Sequence, residues 1–131
     1  ILGSCIAVVL WDSGSGIGGV NHFLLPYWNN KGTPDVRYED IAITELHDKV
    51  ILARTVKRRL TAKIFGGASM LKFDNAVFNV GQRNIEVAKQ KLIELNVPIV
   101  QEVIGGNLGR KILFNPLDGE VKVDMIQNIK F

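Results

Sequence analysis

The sequence predicts an α+β protein with mixed or antiparallel β-sheets and two main helices. Three observations lead there. Two long segments carry apolar residues at helical spacing. Shorter apolar runs, bounded by Gly, Pro, Asn or Asp, read as strands. These strands bracket the helices without the regular strand–helix alternation of a doubly wound sheet. The length of 131 residues, with 47% hydrophobic and 22% charged residues, suits one globular domain over residues 1–131.

Residues 2–11 and 17–26 are apolar and β-branched, and Asp12-Ser13-Gly14-Ser15-Gly16 between them is a string of turn formers, so the stretch reads as a β-hairpin. Residues 26–34 read as a loop, in which Tyr27 and Trp28 either pack on the core or line a substrate entrance. Residues 35–53 read as a helix capped by Asp35, with Ala42, Leu46, Val50 and Ala53 as its apolar stripe. His47 lies beside that stripe and reads as structural or exposed. Residues 60–65 read as a strand entering Gly66-Gly67-Ala68-Ser69, which lacks the spacing of a phosphate loop.

Residues 81–96 form the clearest predicted helix. Ile85, Ala88, Leu92 and Leu95 share one stripe, Lys89, Gln90 and Lys91 face water, Asn79 caps the start and Asn96 closes the end before Pro98. Gln82-Arg83-Asn84 reads as helix-start chemistry. Residues 97–104, 110–114 and 120–126 read as strands, and Asn115-Pro116-Leu117-Asp118-Gly119 joins the last two into a second hairpin.

Composition excludes several function classes. The net charge is +3, and the basic cluster Arg54, Lys57, Arg58 and Arg59 has no interleaved aromatic residues on which bases could stack. It reads as a solvated face, able to attract an acidic protein partner weakly, and no nucleic acid is expected. No apolar run approaches the roughly 18–20 residues of a membrane helix, so no membrane insertion is expected. One cysteine cannot form an internal disulfide, which fits a reducing cytoplasm. One cysteine and two histidines argue against structural zinc, and neither a metal nor another cofactor is expected.

The remaining chemistry is the pair Cys5 and His22. If residues 12–15 form the loop of the first hairpin, Trp11 pairs with Gly16 and Cys5 with His22, with both side chains on one face. A five-residue loop pairs Cys5 with Phe23 instead and turns His22 to the other face, because a one-residue slip exchanges faces. The alternative to catalysis is structural: free cysteine often serves as a small buried hydrophobe.

Leu2-Gly3-Ser4-Cys5 and Gly18-Gly19-Val20-Asn21-His22-Phe23-Leu24-Leu25-Pro26 resemble the active-site region of the CheD family, the chemoreceptor glutamine deamidases of chemotaxis. Residues 62–70, Gly81-Gln82-Arg83-Asn84 and Gly105-Gly106-Asn107-Leu108-Gly109-Arg110 agree in the same order, so the resemblance covers nearly the whole chain. It implies a layered αβ sandwich like that of bacterial deamidase toxins, with Cys5 as nucleophile and His22 as its base. Ser4, Gly67 and Asn107 become candidates for an oxyanion site or pocket, beside the Cys5 amide itself. The family's third catalytic member, a threonine six residues before the cysteine, falls ahead of Ile1, and a further strand is expected upstream of that residue. The implied substrate is the cytoplasmic helical region of methyl-accepting chemotaxis receptors. Receptor methylesterase activity is a second implied reaction, and the phosphatase CheC is an implied partner. The alternative function is a non-catalytic regulatory partner of CheC.

Overall fold

A computed structural model describes residues 2–23, 38–53, 59–68 and 80–126. Tyr27, Trp28, the Asp35 and Asn79 caps and the basic residues Arg54, Lys57 and Arg58 lie outside the described residues. The elements follow as β1 (Ile6–Asp12), β2 (Ile17–Phe23), α1 (Glu39–Leu52), β3 (Leu60–Gly66), α2 (Val80–Glu94), β4 (Ile99–Ile104), β5 (Gly109–Phe114) and β6 (Val121–Ile126). Four strands form one sheet in the order β2-β1-β3-β4, and β5 and β6 form a separate antiparallel hairpin. β1 runs antiparallel to both β2 and β3, and β4 runs parallel to β3. The fold is α+β, with mixed and antiparallel pairing as expected.

Three layers explain the sequence pattern. Ile6, Val8, Leu10 and Phe23 pack with Ala42, Ile43, Leu46 and Val50 of α1 and with Ile85, Ala88 and Leu92 of α2. The opposite sheet face carries Ala7, Val9 and Phe65, which pack with Leu2, Val121, Ile112, Phe114 and Val123. Helices thus cover one face and the β5–β6 hairpin the other. β1 is sandwiched between them, which is why residues 6–10 are apolar without alternation. Each such large side chain contributes about 1.5–3 kcal/mol on full burial.

Several expectations change in detail. α1 buries Ala42, Ile43, Leu46 and Val50, whereas Ala53 is exposed at the helix end. His47 is buried, with Nδ1 3.1 Å from Asp48 Oδ1. α2 keeps its predicted stripe and adds Gly81, Asn84 and Val87 to the buried set. Asn96 closes α2 at φ 58°, the left-handed conformation that asparagine tolerates.

The first hairpin differs in register. Asp12 pairs with Ile17 and Leu60 as the last residue of β1, so the loop is residues 13–16 and Ala7 faces His22. Tertiary contacts hold Asp12 in the strand. Its carboxylate is fully buried and accepts bonds from Gly14 N–H (2.9 Å), the Ser15 hydroxyl (3.0 Å) and Arg59 Nε (3.0 Å) and Nη2 (3.2 Å). Arg59 is exposed, as expected, but its guanidinium is also committed to a buried carboxylate.

Candidate active site

Cys5 lies in a bend one residue before β1, where β1 meets the end of β3. The chain around it is tied at every carbonyl. Leu2 O accepts from Arg110 N–H (2.9 Å), Gly3 O from Ala68 N–H (2.9 Å), Ser4 O from Asn84 Nδ2 (3.0 Å) and Cys5 O from Gly67 N–H (2.9 Å). Leu2 N–H also donates to Arg110 O, completing an antiparallel bridge. Four consecutive carbonyls are thus held by β5, by the loop after β3 and by α2. These are the Gly66-Gly67-Ala68, Gly81-to-Asn84 and Gly105-to-Arg110 segments singled out in the sequence.

Glycine allows this convergence at two places. Gly66, at φ 108°, lies so close to Cys5 that a Cβ there would overlap the Cys5 carbonyl oxygen. Gly67, at φ 70°, ends the β1–β3 ladder. A continuing antiparallel ladder would return a bond from Cys5 N–H to Gly67 O. The Gly67 carbonyl instead lies against the start of α2, where a Cβ on Gly81 would sit 2.5 Å from it. Among the described residues, the N–H groups of Ser4 and Cys5 consequently donate to no carbonyl. Gly67 N–H, expected as a candidate donor, is committed to Cys5 O.

Two influences oppose each other at the thiol. Burial pushes the half-buried Cys5 thiol above its ordinary pKa, while the neighbouring Cys5 N–H and Ser4 hydroxyl pull it down, and burial prevails. His22 is exposed on β2, yet partial desolvation lowers its pKa. Both shifts disfavour a resting thiolate–imidazolium ion pair.

The observed register puts His22 opposite Ala7. Ala7 and His22 share the hairpin-facing side, and Cys5 lies two residues before Ala7, in the bend outside the ladder. Neither expected pairing of Cys5, with His22 or with Phe23, occurs. The loop moves by one residue, from 12–15 to 13–16, so the pairing register shifts by two, and an even shift preserves the face of each strand residue. Among the described residues no hydrogen bond joins the thiol to the ring.

The other candidates separate. Ser4 flanks the thiol through its hydroxyl and N–H. Asn107 is exposed in the 105–108 loop, without a hydrogen bond to the Cys5 segment among the described residues. That loop is braced by Arg110, whose guanidinium is 1% exposed and donates to the carbonyls of Val103, Gly105 and Leu108. No group of acidic, cysteine or histidine side chains suited to a metal occurs among the described residues.

Sequence reasoning missed Asn84 and Arg110 as parts of the site. For Asn84 a signal existed: Gly81, Asn84, Ile85, Ala88 and Leu92 fall on one helical face, so a carboxamide is placed on the buried side. Arg110 gave no comparable signal, because alternation in a short strand does not reveal a buried cation.

Comparison with known proteins gives a consistent result. Residues 24–125 match the family described as CheD chemotactic sensory transduction. The chain is 44% identical to a probable chemoreceptor glutamine deamidase CheD of Trichlorobacter lovleyi, over 92% of this chain and 75% of that protein. It is 41% identical to a protein of the same name from Sulfurimonas denitrificans, over 100% of this chain and 85% of that protein. A third, from Methanococcus maripaludis, is 39% identical over 94% of this chain and 80% of its own length. The family match begins two residues after His22, whereas the Sulfurimonas alignment spans Cys5 and His22 as well.

Proposed function

The chain belongs to the CheD family, and from that premise we propose that it hydrolyses glutamine side chains of methyl-accepting chemotaxis receptors to glutamate and ammonia. The observation that carries the chemistry is the tied Leu2–Cys5 segment: a half-buried thiol just before β1, whose N–H donates to no carbonyl among the described residues, with His22 on the neighbouring strand β2.

A carboxamide is a weak electrophile, and thiolate is the strong nucleophile available here. His22 takes the thiol proton as Cys5 Sγ attacks the carboxamide carbon, since a resting ion pair is disfavoured by both pKa shifts. The carbonyl π electrons move to oxygen, and the N–H groups of Cys5 and Ser4, which donate to no carbonyl among the described residues, are the candidates to receive that charge. Collapse expels ammonia, which takes its proton from the His22 imidazolium. The resulting thioester is hydrolysed by water activated by the same ring, giving glutamate and the free thiol. A receptor methyl ester would follow the same course with methanol as the leaving group. The site of action is the cytoplasmic part of the receptor.

The test is mass spectrometry of a receptor cytoplasmic fragment incubated with full-length protein. Replacement of a carboxamide nitrogen by oxygen at defined glutamines supports the reading. A fragment unchanged by the parent protein, across receptors from the same cell, would reject it. Docking to a CheC-type phosphatase is a separable property that needs a surface and no thiol, so it should survive loss of Cys5.

A further inference from the structure

We propose that Asn84 is a positioning residue that aims the Cys5 N–H at the oxyanion formed during acyl transfer. The inference rests on Cys5 being an acyl-transfer nucleophile, but not on which protein supplies the glutamine.

The geometry follows from the planar peptide. Ser4 C=O and Cys5 N–H are the two ends of one peptide unit, and in the trans form they point in opposite directions. No cis peptide occurs among the described residues. Whatever holds Ser4 O therefore sets the direction of Cys5 N–H. That holder is Asn84 Nδ2, at 3.0 Å. The peptides on either side are held separately, through Gly3 O by Ala68 N–H and through Cys5 O by Gly67 N–H. Asn84 is thus the one side chain in the series of four carbonyl anchors, and it governs the peptide plane that carries the Cys5 amide.

The environment of Asn84 supports a role beyond packing. The residue is 1% exposed, on the face of α2 shared with Ile85, Ala88 and Leu92. Its Oδ1 is buried without a hydrogen-bond partner among the described residues. Buried polar atoms are rarely left unpaired, and an apolar side chain would fill the space without that defect. The carboxamide is oriented by its single bond, because the flipped form would set Oδ1 against Ser4 O.

Two reagents attack the same thiol with different demands. p-Nitrophenyl acetate acylates Cys5 through a tetrahedral oxyanion: the S–C bond forms, the thiol proton passes to His22 and p-nitrophenolate leaves. Iodoacetamide alkylates it by direct displacement of iodide, with no oxyanion at the reacting carbon. The ratio of the two second-order rate constants cancels thiol ionisation and access. It should be measured on full-length parent, Asn84→Ala and Asn84→Asp proteins, each corrected with a Cys5→Ala control.

Asn84→Ala should lower acylation about tenfold or more, as loss of an oxyanion donor does, while alkylation stays at the parental rate. Asn84→Asp keeps the shape of the side chain but cannot donate when ionised. Its acylation-to-alkylation ratio should be low at neutral pH and recover as the pH falls and the carboxyl regains a proton to donate. A parental ratio in Asn84→Asp at neutral pH, or equal losses in both reactions, would overturn the proposal even if Asn84→Ala fails to fold. A depressed ratio in a protein that deamidates no receptor would leave the positioning role intact and reject only the receptor substrate.

Discussion

Replacing Gly66 by alanine separates backbone strain from collision at Cys5. Gly66 has φ 108° and faces Ile6 at the start of β1. A Cβ there would overlap the Cys5 carbonyl oxygen and lie 3.2 Å from the Cys5 carbonyl carbon and 3.4 Å from Ile6 Cα. All three atoms are backbone, so no rotamer change relieves the contact. Gly105 is the control: its φ is 74°, yet nothing lies within 4 Å of the corresponding Cβ. A left-handed conformation costs an L-residue about 1–2 kcal/mol, and this is the whole expected cost of Gly105→Ala. Forcing packed atoms apart adds about 1–3 kcal/mol, so Gly66→Ala should cost roughly 2–5 kcal/mol in all. With a urea slope of about 2 kcal/mol/M, the two midpoints should differ by roughly 0.5–1.5 M. Gly66→Ala should also change the rate at which iodoacetamide reaches Cys5, since the displaced carbonyl belongs to the nucleophile. Coincident urea midpoints for the two variants would refute the claim that β3 is held against the Cys5 carbonyl.

Cys5→Ala should abolish deamidation of a receptor fragment while costing only about 1–2 kcal/mol of stability, as one sulfur atom leaves a small cavity; parental turnover would sink the covalent route. His22→Ala should lower the deamidation rate by about 10²–10⁴, and a turnover close to parental would assign the base elsewhere. Burial raises the Cys5 pKa, so the alkylation rate of the free protein should climb with pH and reach half-maximum above an ordinary thiol; a midpoint below neutrality would mean a resting thiolate. Desolvation lowers the His22 pKa, so the base stays neutral to lower pH. The acid limb of deamidation should therefore fall below the ordinary histidine range, read from kcat/KM against pH. Asp12→Ala should cost about 2–4 kcal/mol by thermal or urea unfolding, because it strips the acceptor from Gly14 N–H, Ser15 and Arg59 at once; a change within experimental error would show the buried carboxylate to be dispensable.

The sequence by itself determined the local elements and the chemistry they carry. Apolar spacing within one helix set the α2 stripe of Ile85, Ala88 and Leu92, and turn residues at 115–119 set the β5–β6 hairpin. These signals are local, written within one element and its nearest turn. The resemblance of ordered short motifs singled out Cys5 and His22 without any knowledge of their geometry. Tertiary structure alone decided the register and the donors. Asp12 belongs to β1 rather than to the loop because Arg59, 47 residues away, meets its buried carboxylate. Parallel pairing of β4 with β3 and the separate β5–β6 sheet likewise depend on contacts between distant segments. Among the described residues, the Cys5 amide is left without a carbonyl partner where the Gly67 carbonyl lies against Gly81 and Asn84 takes the Ser4 oxygen. A hydrogen bond withheld from one strand by a glycine in the next has no periodicity in sequence. It exists only once β1, the end of β3 and the first turns of α2 have packed together.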